Sequence, residues 1–95
     1  MINSRQRAAL RAMANSLQPI FQIGKGGLND NMVHSVDEAL ERRELIKVTL
    51  LETADVDVRE ACSYVCENTG AEPVQCIGRK FVVYRESKKY KTIEI

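Results

Sequence analysis

The sequence predicts an α/β fold: one two-layer domain of order α-β-α-β-α-β-β around a four-stranded mixed sheet. Three observations predict it. Apolar residues recur at helical spacing in three segments and in alternating or short continuous runs in four others, and the two kinds interleave. The pair Gly78-Arg79 divides the last two runs like the loop of a hairpin. The length, 95 residues, suits a single modest core. Two β-α-β units followed by a hairpin place the second and third helices on one face through right-handed crossovers. The pattern leaves open the strand order and the packing of the first helix.

Each element has its own signal. Ser4 is a candidate cap for a helix running to about Leu17, its hydroxyl oxygen accepting a free first-turn amide. Leu10, Met13, Ala14 and Leu17 form that helix's apolar stripe, and Arg7 and Arg11, four apart, share a face. Pro19 closes the segment, and Ile20 to Ile23 reads as the first strand. Asn29 is the candidate cap of the second helix, with Leu28 and Val33 as a hydrophobic staple and Val36 and Leu40 facing inward. Leu45 to Leu51 alternates, with Ile46, Val48 and Leu50 on one face and Lys47 and Thr49 on the other.

Asp57 and Glu60 are spaced as a capping box for a third helix that ends at Gly70. On it Val58, Ala61, Cys62, Val65, Cys66 and Thr69 make a core stripe. Cys62 and Cys66 could share a metal, but with no second ligand pair in the sequence they read as core. Val74 to Ile77 and Lys80 to Tyr84 flank the type II′ signature Gly78-Arg79, and Phe81 to Tyr84 is apolar on both faces, as in an interior strand. Residues 1–86 thus form the expected domain. Residues 87–95, with Lys88, Lys89 and Lys91, are expected to be a mobile basic tail whose end could add an edge strand.

Composition narrows the function classes. At 44% hydrophobic and 28% charged, the chain has an ordinary globular make-up. No apolar run reaches bilayer length, and the N-terminus lacks the apolar core of a signal peptide. Three cysteines cannot all pair within the chain, so reduced thiols and a cytoplasmic setting are expected; the chain is separately expected to be a monomer. Net charge is only +1, but it is unevenly spread. Residues 1–27 carry Arg5, Arg7, Arg11 and Lys25 and no acid, residues 28–78 carry four bases against eleven acids, and residues 79–95 carry six bases against Glu86 and Glu94. Should the fold bring both ends together, one face would suit a polyanion.

The stretch Gly24-Lys25-Gly26-Gly27 lies between a strand and a helix N-terminus. Glycines there allow positive φ and close backbone approach, and the first amides and dipole of the helix favour an anion. A plain strand-to-helix turn would look the same. No Walker loop is present, because no hydroxyl residue follows Lys25 in the required spacing. His34, the only histidine, has no sequence-local partner that would mark it as a base. No catalytic set or metal cluster stands out, so neither catalysis nor a cofactor is expected.

Taken together, Pro19 to Gly27, Glu38-Ala39-Leu40, Glu44 to Val48, Thr69-Gly70-Ala71 and Val74 through Arg79 to Tyr84-Arg85 resemble the chloroplast RNA splicing and ribosome maturation (CRM) domain family, in its stand-alone bacterial YhbY type. The resemblance spans roughly residues 3–86. It implies a fold similar to the C-terminal domain of translation initiation factor three, RNA binding through a G-x-x-G loop, and association with precursors of the large ribosomal subunit. The loop's fixed glycines correspond to Gly24 and Gly27, and Gly26 stands where many relatives carry a larger residue. Beside this, the residues suggest that Lys25, the loop amides, Arg7, Arg11, Arg79 and Lys80 contact an RNA backbone, with no DNA or membrane partner. The alternative is a protein-interaction module docking on basic ribosomal proteins through the acidic middle region.

Overall fold

A computed structural model describes all residues, 1–95. Its elements are α1 (Ser4–Ala14), β1 (Phe21–Ile23), α2 (Asp30–Arg43), β2 (Leu45–Leu50), α3 (Val58–Thr69), β3 (Glu72–Ile77) and β4 (Lys80–Tyr84). The sheet order is β1-β2-β4-β3, with β1 and β2 parallel and the two pairs involving β4 antiparallel. β4 is therefore interior, as its apolar run requires.

Alternation along the central strands builds two cores. Ile46, Val48 and Leu50 of β2 and Phe81 and Val83 of β4 join Ile23, Val36, Leu40, Ala61, Cys62 and Val65 in the larger one, beneath α2 and α3. Leu45, Val82, Tyr84 and Val74 face the other way and meet Leu10 and Ala14 of α1. α2, α3 and the sheet make the expected two layers; α1 adds a partial third layer over one end of the opposite face.

The cap of α1 is Asn3 rather than Ser4. Its side chain accepts from the Gln6 amide at 2.8 Å, while the Gln6 side chain accepts from the Asn3 amide at 2.9 Å. The helix stops at Ala14, short of Leu17, and Met13 is 39% exposed. Asn29 caps α2 as expected, accepting from the Met32 amide. Asp57 caps α3 through the Arg59 amide, and the reciprocal Glu60 bond of a capping box is not formed. Gly70 closes α3 in the left-handed region, at φ +77°.

The C-terminal segment is not a loose tail. Glu44, fully buried between α2 and β2, accepts from the amides of Ser87, Thr92 and Ile93 at 2.8 Å each. Glu41 accepts from the Ser87 hydroxyl and the Lys88 and Lys89 amides. Ile93 then packs on the smaller core. Residues 87–93 are thus pinned by two carboxylates more than forty positions away, and no edge strand is added. Glu44 itself holds φ +66°, a region that a residue with a Cβ rarely adopts.

Candidate nucleic-acid interface

The C-terminal end of β1 leads into the glycine turn. Its closing bond runs from the Gly27 amide to the Gly24 carbonyl at 2.8 Å. Lys25 and Gly26 keep negative φ while Gly27 sits at +62°, which describes a type I turn followed by a left-handed glycine. The three loop glycines have different reasons to be there. A Cβ at Gly24 would come within 3.3 Å of the Leu51 side chain and 3.5 Å of the Thr53 hydroxyl, and Gly27 needs its backbone angle. At Gly26 a Cβ would meet only the Asn29 side chain, at an ordinary 3.7 Å. The Lys25 and Gly26 amides donate no bond within the chain, and α2 begins three residues past the turn. These groups can together receive an anion. Asp30 in the first turn of α2 and Asp55, which lines the same groove as Lys25, oppose an anion on their side.

The hairpin tip lies at this same end of the sheet. Leu51 donates its amide to the Ile23 carbonyl, and Leu50 donates its amide to the Arg79 carbonyl. This chain of contacts sets Arg79 and Lys80 beside the β2 terminus, one strand away from the turn. The Arg79 guanidinium folds back, donating from Nε to the Leu50 carbonyl at 2.9 Å and from Nη2 to the Leu51 carbonyl. It braces the hairpin, while Lys80 is exposed and unpaired.

Beyond the end of α1 the sheet face is open. A single cross-strand row runs Gln22, Thr49, Lys80, Ile77 through the register of all four strands. Lys47 and Gln75 stand behind it, and Asn15 closes the groove from the helix end. Lys47 and Thr49 were legible as the outer face of β2, but only the short reach of α1 leaves them uncovered.

Arg7 does not join this group. It donates from Nε to the Pro73 carbonyl at 3.1 Å, on the outer edge of β3. Three strand spacings across and about five residues along separate that edge from the glycine turn, roughly 20 Å. Arg7 instead blunts an open sheet edge and docks α1. Arg11 is exposed one turn nearer the hairpin end. Arg85, too, is committed: it pairs with Asp37 and donates to the Thr69 carbonyl, joining α2 to the end of α3. The cations of the two chain ends therefore converge only in part. Lys25, Arg79, Lys80 and Lys47 gather at one end, and the C-terminal lysines at the other.

Other candidate groups find plain roles. His34 is exposed and pairs with Glu38, one turn along α2, at 2.6 Å. All three cysteines are free. A hydrogen bond to Cys66 and burial push the Cys62 thiol far up, and burial pushes Cys76 up to about 11. No group of His, Cys, Asp or Glu is arranged to hold a metal, and no helix is long and apolar enough to cross a membrane.

A sequence model of the CRS1 / YhbY (CRM) domain matches residues 2–85. The chain belongs to that family. It is 44% identical, over all of its length and 99% of the relative's, to the Bacillus subtilis protein named "Probable RNA-binding protein YqeI". It is 31% identical over 95% of its length, and 91% of the relative's, to a Haemophilus influenzae protein named "RNA-binding protein". The solution structure of a hypothetical Staphylococcus aureus protein, described as a candidate RNA-binding protein, superposes with a TM-score of 0.83. That structure is 47% identical and covers 100% of this chain and 99% of its own.

Proposed function

We propose that this CRM domain binds RNA through the end of the sheet that carries the Gly24–Gly27 turn. One observation carries the reading: a turn with two free amides and Lys25 stands at the same end of the sheet as Arg79 and Lys80, and Lys80 and Lys47 line an open groove on the sheet face there. The phosphate backbone lies over the turn and takes hydrogen bonds from the Lys25 and Gly26 amides. The lysines supply charge, and the row Gln22, Thr49 and Lys80 offers polar groups to ribose and bases. The role is binding without catalysis or cofactor. The names of the relatives support RNA as the partner, and the YhbY-type resemblance supports precursors of the large ribosomal subunit as its source.

Salt dependence of RNA affinity tests the interface. Contact with about four phosphates of a single strand gives a slope near −3 in log affinity against log salt. The double variant Lys25→Ala, Lys80→Ala should flatten that slope by about 1.4. An unchanged slope would overturn the assigned face. Sedimentation of the tagged chain with large-subunit precursors, rather than with mature particles or at the top of the gradient, tests the ribosomal part.

A further inference from the structure

The opposite end of the molecule carries a second, independent set of cations. α2 is 14 residues long, so its ends lie about 21 Å apart. The glycine turn adjoins its start, and Arg42 stands in its last turn. There residues 87–93 cross the helix, held by Glu41 and Glu44. Their anchoring places Tyr90, 44% exposed, with the Arg42 guanidinium 5.8 Å and the Lys89 ammonium 5.9 Å from its ring centroid.

The cations there stand among acids but are not ion-paired with them. The ion pairs of the chain are His34–Glu38, Arg85–Asp37 and Lys91–Glu86, so Arg42, Lys88 and Lys89 belong to none. Glu41 touches the segment and keeps its negative charge, its oxygens bonded to the Ser87 hydroxyl and two backbone amides, so it offsets part of the cations' charge without forming an ion pair with them. An aromatic ring gathers cations without neutralising them, as a carboxylate would. The segment is also kept in place at some strain, because the residue that anchors it holds a backbone angle rare outside glycine.

We infer that Arg42, Lys88, Lys89 and Tyr90 form a second contact for single-stranded RNA, at the pole opposite the glycine turn. Cations grouped on an exposed aromatic ring match a flexible strand, which presents phosphates and base planes together. An acidic protein would use the charge and leave the ring without a role. The inference takes its partner class from the RNA-binding reading above, but its residues are separate.

Amide shifts of the full chain, titrated with a mixed-sequence single-stranded RNA oligonucleotide, test it. Two groups of amides should move, one at residues 25–27 and 79–80 and one at 42 and 88–90. The second group should persist in the Lys25→Ala, Lys80→Ala variant. Tyr90→Ala should weaken binding at the second group about threefold, and Tyr90→Phe should restore it, because the ring and not its hydroxyl holds the cations. Slow exchange at the Ser87 and Ile93 amides verifies that the segment stays anchored in each variant. If saturating RNA moves the turn but not residues 88–90, the second contact is wrong and the main reading stands. If only residues 88–90 move, the main reading fails and this one survives. Polyglutamate moving residues 88–90 as strongly as RNA would overturn the assignment to RNA.

Discussion

The Glu44 carboxylate accepts the amide hydrogen of Ile93 at 2.8 Å, joining residues 49 positions apart. The same oxygen takes the Thr92 amide and hydroxyl, and the other takes the Ser87 amide. Burial works against the charged form, but the Ser87, Thr92 and Ile93 donors outweigh it and hold the carboxyl below its ordinary value. Glu44→Gln puts an NH2 group where one acceptor oxygen stood, facing donors that then have no partner. Stability should fall by about 1–3 kcal/mol in denaturant titration, and the Ile93 amide should lose its exchange protection. Unchanged protection at Ile93 would show that other contacts anchor the segment.

Acid should release the same segment. Glu41 is held low by the Ser87 hydroxyl and the Lys88 and Lys89 amides, and Glu44 as described. Both folded-state pKa values lie below the unfolded ones, so the unfolded chain takes up protons first as pH falls. Their contribution is complete above the ordinary glutamate value of about 4.3 and is lost as pH drops below it toward the folded values. Exchange at Ser87, Thr92 and Ile93 should therefore accelerate below that point while the β4 amides remain protected. Simultaneous loss at both places would argue for global unfolding instead.

This anchoring explains what sequence reading could and could not reach. Helix and strand periods, the Gly78-Arg79 hairpin and the Asn29 cap are local, and they placed the elements and the glycine turn. The order of residues 87–93 depends on a buried charge at Glu44, which no local pattern marks; Glu44 simply follows two arginines at a helix end. The α1 cap turned on a near-even competition between neighbouring Asn3 and Ser4, and the amide side chain won with Gln6 as its reciprocal partner. Charge sums placed the cations of both termini together because they ignore topology. Arg7 and Arg85 were already engaged in holding the fold, and the C-terminal lysines face the other pole.

The loop glycines should separate cleanly on substitution. Gly26→Ala keeps a negative φ and meets only an ordinary contact, so it should leave stability unchanged or raise it by about 0.4–1 kcal/mol by restricting the unfolded chain. Gly27→Ala forces a Cβ into the left-handed region and should lower stability by about 1–2 kcal/mol. Thermal melts of the two variants decide it. Equal losses would mean that the turn does not hold the described conformation.

Arg79 and Lys80 are adjacent cations with different duties, and single variants should divide them. Arg79 Nε and Nη2 satisfy the Leu50 and Leu51 carbonyls, so Arg79→Ala removes a brace between the hairpin and the β2 terminus. It should lower stability by about 1 kcal/mol as well as weaken RNA binding. Lys80 makes no ion pair, so Lys80→Ala should leave stability within about 0.5 kcal/mol and flatten the salt slope by about 0.7. Arg7→Ala supplies the reverse control: it frees the β3 edge at Pro73 and loosens α1, but should leave the slope unchanged for RNA that reaches only the turn. Should Arg7→Ala flatten the slope as much as Lys80→Ala does, the RNA path must extend along α1 and across the sheet, not stop at its open end.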